Sequence, residues 1–277
     1  MVTHVLYPEF LQPSPTRLSP ASRRLLAGLE ETYGPEPFGP GGVWGALARC
    51  GPALAGALAP ACQPAAGYDL DAFAPRLLDR AMSLLPGPAP DLYLGTLLFL
   101  APAATLSIGG KPAIALGLER FHPSPPPGEP RALFRPGEAE EMIPHEAAHA
   151  VRMRALSLPP TPRLLSLLEM MMLEGTALLF TDLLLGRQTL ATFLPRHRLE
   201  WHEANERAVR AAAAAEFDRT GMEIFQKYFT PVAPVSGYFV GYSLCREFVG
   251  RHGTQAMRDL LTMDSREILR RLGATPP

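Results

Sequence analysis

A cysteine framework is missing from this chain. Its 3 cysteines, Cys50, Cys62 and Cys245, form an odd, sparse set with no CxxC spacing. That argues against a disulfide-stapled fold and against a cysteine zinc site, and leaves three small apolar residues for the interior. A basic excess is missing too: 26 Lys plus Arg stand against 27 Asp plus Glu, for a net charge of -1. Nucleic-acid binders usually carry a strong basic surplus, so no nucleic-acid partner is expected. Lysine itself is confined to Lys111 and Lys227; we read this as codon usage. The first residues, Met1-Val2-Thr3-His4, offer neither a basic segment nor an apolar one, so no signal peptide is expected. Uninterrupted apolar runs are absent as well. Leu92 to Leu118 is broken by Gly95, Pro102, Gly109, Gly110 and Pro112, and Leu164 to Leu185 carries Glu169, Glu174 and Asp182. A bilayer span needs about 20 residues with few or no charges. The expectation is a soluble, cytoplasmic protein with no membrane partner.

Core-forming material is plentiful: 47% of the 277 residues are hydrophobic and 19% charged, which excludes wholesale disorder. The 31 prolines and 24 glycines break the chain into many short elements. Residues 1 to about 17 read as an irregular lead. Ser19-Pro20 caps a helix with Leu25, Leu26 and Leu29 at helical spacing. Val43 to Leu58 reads as a helix that Gly51-Pro52 should break or kink. A third helix starts at Asp69 or Asp71 and ends before Pro86. From Asp91 the texture changes. Leu92-Tyr93-Leu94 with Leu97 to Leu100 reads as a buried strand. Thr105 to Ile108 and Ala113 to Leu118 read as two strands around Gly109-Gly110-Lys111-Pro112. The proline-rich stretch from His122 to Pro136 must be a surface loop. Helices then follow at about Glu138–Ala155, Arg163–Leu185, Arg198–Phe217, Ser236–Arg251 and Ser265–Arg270, the last capped by Asp264. Helices, a few strands, then helices make an α+β protein, read as one domain over residues 1–277. Its helical N-terminal part covers residues 1–90 and its core 91–277.

Chemistry concentrates at Met142-Ile143-Pro144-His145-Glu146-Ala147-Ala148-His149, an HExxH pattern. On a helix His145 and His149 stand one turn apart and face the same way, so both imidazoles can reach one metal. Glu146 can reach a water held on that metal. Pro144 fits best if the helix starts within a turn before it. Zinc in such a site takes a third protein ligand and leaves its fourth position to water. A third histidine six residues on is excluded, because that position is Ala155. Glu169 and Glu174 lie in the next apolar run, about 140° apart around a helix, so both cannot face one metal. We favour Glu174 as the metal ligand. It is followed by Gly175, Thr176 and Ala177, small residues that would let this helix approach the HExxH helix. A carboxylate amid Met170, Met171, Met172 and Leu173 also calls for a cation. Glu169, His197 and His202 remain alternatives.

Pro-His-Glu-x-x-His-x-Val-Arg, Leu-Glu-Gly-Thr-Ala about one helix later, and Gly237-Tyr238-Phe239-Val240-Gly241-Tyr242 resemble the YjaZ-like group of predicted zinc-dependent proteases. More broadly they resemble the gluzincins, over roughly residues 90 to 272. The resemblance implies a zincin-like fold, mostly helical, with a small sheet beside the active-site helix. An edge strand between Thr105 and Leu118 would be able to pair with an extended peptide. It implies Zn2+ as cofactor, a peptide or protein substrate, and Glu146 as the general base. It also implies a later Tyr or His near the oxyanion, for which Tyr238, Tyr242 and, less well, His252 are candidates. Many gluzincins carry an acidic residue four after the glutamate ligand; here that position is Leu178, and Asp182 is a weak substitute. The function read from the chain is a zinc metallopeptidase. The alternative is a zinc-site protein without peptidase activity that acts as a sensor or partner-binding module. An intact Glu146 favours the first.

Overall fold

In a computed structural model of the chain, residues 1–10, 18–61, 70–98, 100–120, 139–159, 161–230, 233–253 and 255–273 are described. The chain forms a mostly helical α+β structure with one small mixed sheet of four strands. It divides into two compact units, Met1–Ala150 and Val151–Pro277.

The first unit holds the sheet. Strands β1 (Thr3–Val5), β2 (Leu92–Gly95), β3 (Ala103–Ile108) and β4 (Lys111–Gly117) lie in the order β1-β2-β4-β3. β1 and β4 run parallel to β2, and β3 is antiparallel to β4. The lead was expected to be irregular. Instead it supplies β1 and a short helix α1 (Tyr7–Phe10), because Thr3 to Val5 find open backbone on β2. β2 ends at Gly95 rather than running to Leu100, and Leu98 takes a positive φ of 53°. Gly109 and Gly110 adopt φ of 62° and 73°, the left-handed pair that a two-residue hairpin turn demands. This turn sets the register, pairing Ile108 with Lys111 and Thr105 with Ile114.

Helix α2 (Pro20–Tyr33) starts at Ser19, whose side chain accepts from the Ser22 N–H, and buries Leu25, Leu26 and Leu29 completely. It also packs on β3, an edge strand of the sheet. Ser107 donates its N–H to Thr32 Oγ1 at 3.3 Å and its hydroxyl to Glu31 Oε1 at 2.7 Å. Gly28 sits so close to the Ser107 carbonyl that a Cβ there would be 2.8 Å from the oxygen. The edge is therefore closed at Ser107, where an open one was expected. Helix α3 (Gly42–Ala61) runs unbroken through Gly51-Pro52, and α4 (Leu70–Met82) follows with Asp71 inside it. Cys62, Asp69 and the proline-rich stretch from His122 to Pro136 lie outside the described residues.

Helix α5 (Ala139–Leu156) carries the division between the units within it. It lies close to the expected Glu138–Ala155 and begins five residues before Pro144. The carbonyl that Pro144 leaves without its helical N–H belongs to Glu140, in the first turn, where the loss is small.

The second unit is a helical bundle. α6 (Leu167–Leu185) starts later than the expected Arg163, at the cap Ser166, and ends at Gly186 in the left-handed conformation. It is buried on nearly all sides, as its apolar sequence requires. After α7 (Leu190–Phe193), the expected helix Arg198–Phe217 is two, α8 (Arg196–Ala204) and α9 (Glu206–Ala214), divided at Asn205. α10 (Met222–Phe229) and α12 (Ala256–Thr262) were not foreseen. α11 (Gly237–His252) and α13 (Ser265–Arg271) begin at the caps Ser236 and Asp264. α6 and α11 cross at Gly175 and Gly241, where any Cβ would collide with the other helix's backbone. Gly175 was expected to serve close approach to the HExxH helix; it serves the approach of α11.

Candidate metal centre

His145 and His149 lie one turn apart on α5 and are both buried. Their rings meet edge to face with centroids 4.4 Å apart. Glu174 stands on α6 and is half-buried. One ligand atom from each of the three lies within 4.8 Å of the others. That spacing is of the order required of ligands held about 2.0–2.2 Å from a common ion. Two imidazoles and one carboxylate form the donor set zinc takes when its fourth position is left to water. On both counts, the residues fit a zinc ion.

Glu146, next to His145, is buried as well. Its carboxylate Oε2 is 2.8 Å from Thr105 Oγ1 on β3, and its main-chain oxygen is 2.9 Å from the same hydroxyl. Thr105 was not foreseen in any functional role. No local motif marks it, and only the hairpin register places it there.

Among the described residues, Glu169, His197 and His202 are not grouped with the three donors His145, His149 and Glu174. Glu169 accepts from Arg152 Nε and Nη2 at 3.1 and 2.7 Å and from the Ser265 hydroxyl. Arg152 is completely buried. Its Nη1 donates to the carbonyls of Leu260 and Met263, so the guanidinium ties α5, α6 and the α12–α13 corner of the second unit together. The sequence offered a signal for it, the arginine that ends the Pro-His-Glu-x-x-His-x-Val-Arg pattern.

His197 is exposed, whereas His202, expected in a solvated stretch, is fully buried. Ser236 N–H donates to its Nε2 at 3.0 Å, so Nδ1 carries the proton and donates to the Arg198 carbonyl at 2.7 Å. Burial pushes its pKa below the ordinary value. His252 packs against Phe248.

The Tyr242 hydroxyl donates to Asp182 Oδ2 at 2.7 Å, and burial together with this carboxylate pushes the phenol pKa up. Asp182 also accepts from the N–H and hydroxyl of Thr189, so it braces the turn after α6. Tyr238 packs between Phe193 and Phe229, each 5.2 Å away by ring centroids. Asp182 thus serves both Tyr242 and Thr189.

No curated protein and no solved structure matches the chain. A family model described as predicted Zn-dependent protease (DUF2268) matches residues 133–270, the stretch that contains α5, α6 and α11. Over residues 133–270, the chain is similar to this family of predicted Zn-dependent proteases.

Proposed function

We propose that the protein is a zinc-dependent metallopeptidase of zincin-like fold, with His145, His149 and Glu174 as metal ligands and Glu146 as general base. The observation that carries this reading is the convergence of the three donors with Glu146 beside them on α5. Zinc, when bound, supplies a Lewis acid that lowers the pKa of water toward about 7 and polarises a carbonyl. Glu146 accepts the proton of the attacking water and returns it to the leaving amine. The peptide bond is cleaved to a carboxylate and an amine, with no other reagent consumed. His145 and His149 serve as neutral imidazoles. Tyr238 and Tyr242 are the candidates for a later tyrosine, and the engagement of the Tyr242 hydroxyl with Asp182 favours Tyr238.

The test combines metal analysis with peptide cleavage. Purified protein is expected to hold about one zinc per chain. Glu146→Gln is expected to keep the zinc and lose about 100- to 10,000-fold in turnover. Glu174→Ala is expected to lose zinc. Protein that binds no zinc even when it is supplied would remove the site. Bound zinc with no cleavage across a broad peptide library would leave the sensor or partner-binding role in its place.

A further inference from the structure

Thr105 occupies an unusual position relative to the base. The hairpin turn at Gly109-Gly110 pairs it with Ile114, whose N–H is turned away to the Asp91 carbonyl at 2.9 Å. Thr105 and Ile114 therefore form a pair that exchanges no backbone hydrogen bonds. Alternation along β3 directs the Thr105 side chain off the sheet, where its hydroxyl meets Glu146. Only 9% of the residue is exposed, so the contact is shielded from water. A threonine hydroxyl has one hydrogen, and here it stands nearly equidistant from the carboxylate Oε2 and the main-chain oxygen of the same glutamate. An ionised carboxylate is the stronger acceptor of the two.

We propose that Thr105 is a positioning residue for the general base. Its hydroxyl pins Oε2 of Glu146 and so presents Oε1 to the water that attacks the substrate. A glutamate has three side-chain torsions, and a tether at one oxygen removes the freedom of the other. β-branching adds to this, since the methyl of threonine restricts χ1 and holds the hydroxyl on one line. The assignment rests on Glu146 being the base, and its test separates the two ideas.

The experiment uses the zinc-loaded full chain with Thr105→Val, which keeps shape and removes the hydroxyl, and Thr105→Ser, which restores it. The first readout is calorimetric binding of acetohydroxamate. This probe surrenders its hydroxyl proton on chelating zinc and needs an oriented carboxylate to receive it. Thr105→Val is expected to weaken it about tenfold, while Thr105→Ser stays within about threefold of wild type, with zinc content unchanged in both. The second readout is peptide turnover. Thr105→Val is expected to lower kcat about 10- to 100-fold while KM stays within about threefold. Wild-type behaviour of Thr105→Val overturns the proposal. So does a serine variant as poor as the valine one, because packing would then be the cause, or a loss confined to zinc content. If wild type cleaves no peptide, the peptidase reading falls and acetohydroxamate decides alone. A loss in Thr105→Val that Thr105→Ser reverses keeps Thr105 as the residue that orients Glu146, and no loss removes it.

Discussion

Arg152 and Glu169 set the terms at the scale of single residues. A guanidinium out of contact with water is tolerable only when every face meets an acceptor, and Arg152 has Glu169, Ser265 and two main-chain carbonyls around it. Glu169→Ala removes the one negative charge in that set. It is expected to destabilise the protein by about 3–5 kcal/mol, read by urea unfolding, because an uncompensated charge stays buried. Zinc content of the folded variant is expected to stay near wild type, since Glu169 is committed to the arginine. The double variant Arg152→Met, Glu169→Leu should recover much of the stability, as an apolar pair leaves no charge behind. The sequence separated Glu169 from Glu174 by their angle around the helix. It held no sign that Glu169 had a partner 17 positions earlier, because that contact depends on how α5 and α6 meet.

The crossing of α6 and α11 dominates at the scale of elements. Each helix presents a glycine to the other's backbone, Gly175 against Gly241 and Tyr242, and Gly241 against Met171. Backbone cannot rotate away as a side chain can, so an added methyl must push the helices apart. Gly175→Ala and Gly241→Ala are each expected to cost about 1–3 kcal/mol or more, despite alanine's better helix propensity. Gly250 on the same α11 has nothing within 4 Å of its would-be Cβ. Gly250→Ala should therefore stabilise by about 0.5–1 kcal/mol. Thermal unfolding of the three variants checks both halves of the argument. If all three shift alike, the crossing is not the constraint.

Metal linkage is the observable that engages the chain as a whole. A ligand that binds only the folded state stabilises it by about 2.7 kcal/mol at 100 times its dissociation constant. For a chain of this size, that corresponds to a rise in Tm of about 5–10 °C. Adding a chelator should lower the Tm of wild type by that amount and leave Glu174→Ala unmoved. An equal fall in Glu174→Ala would place the stabilising metal somewhere other than the three converging donors. The family match at residues 133–270 takes in His145, His149 and Glu174. The N-terminal segment before it supplies β1 and α2 to the sheet-bearing unit.

Local features were legible in the sequence by itself, because each depends on residues a few positions apart. The i, i+4 spacing put His145 and His149 on one helical face, Ser19, Ser236 and Asp264 marked helix starts, and Gly109-Gly110 marked a hairpin. Tertiary structure alone decided what those elements meet. It paired Thr3 with Leu92, set Gly175 against α11, and gave the Tyr242 hydroxyl to Asp182. It also brought Thr105 to Glu146 across 41 positions. Periodicity and capping are properties of one segment's backbone, so they survive in the order of residues. A contact between distant segments follows from how whole apolar faces pack, and no single motif encodes that outcome.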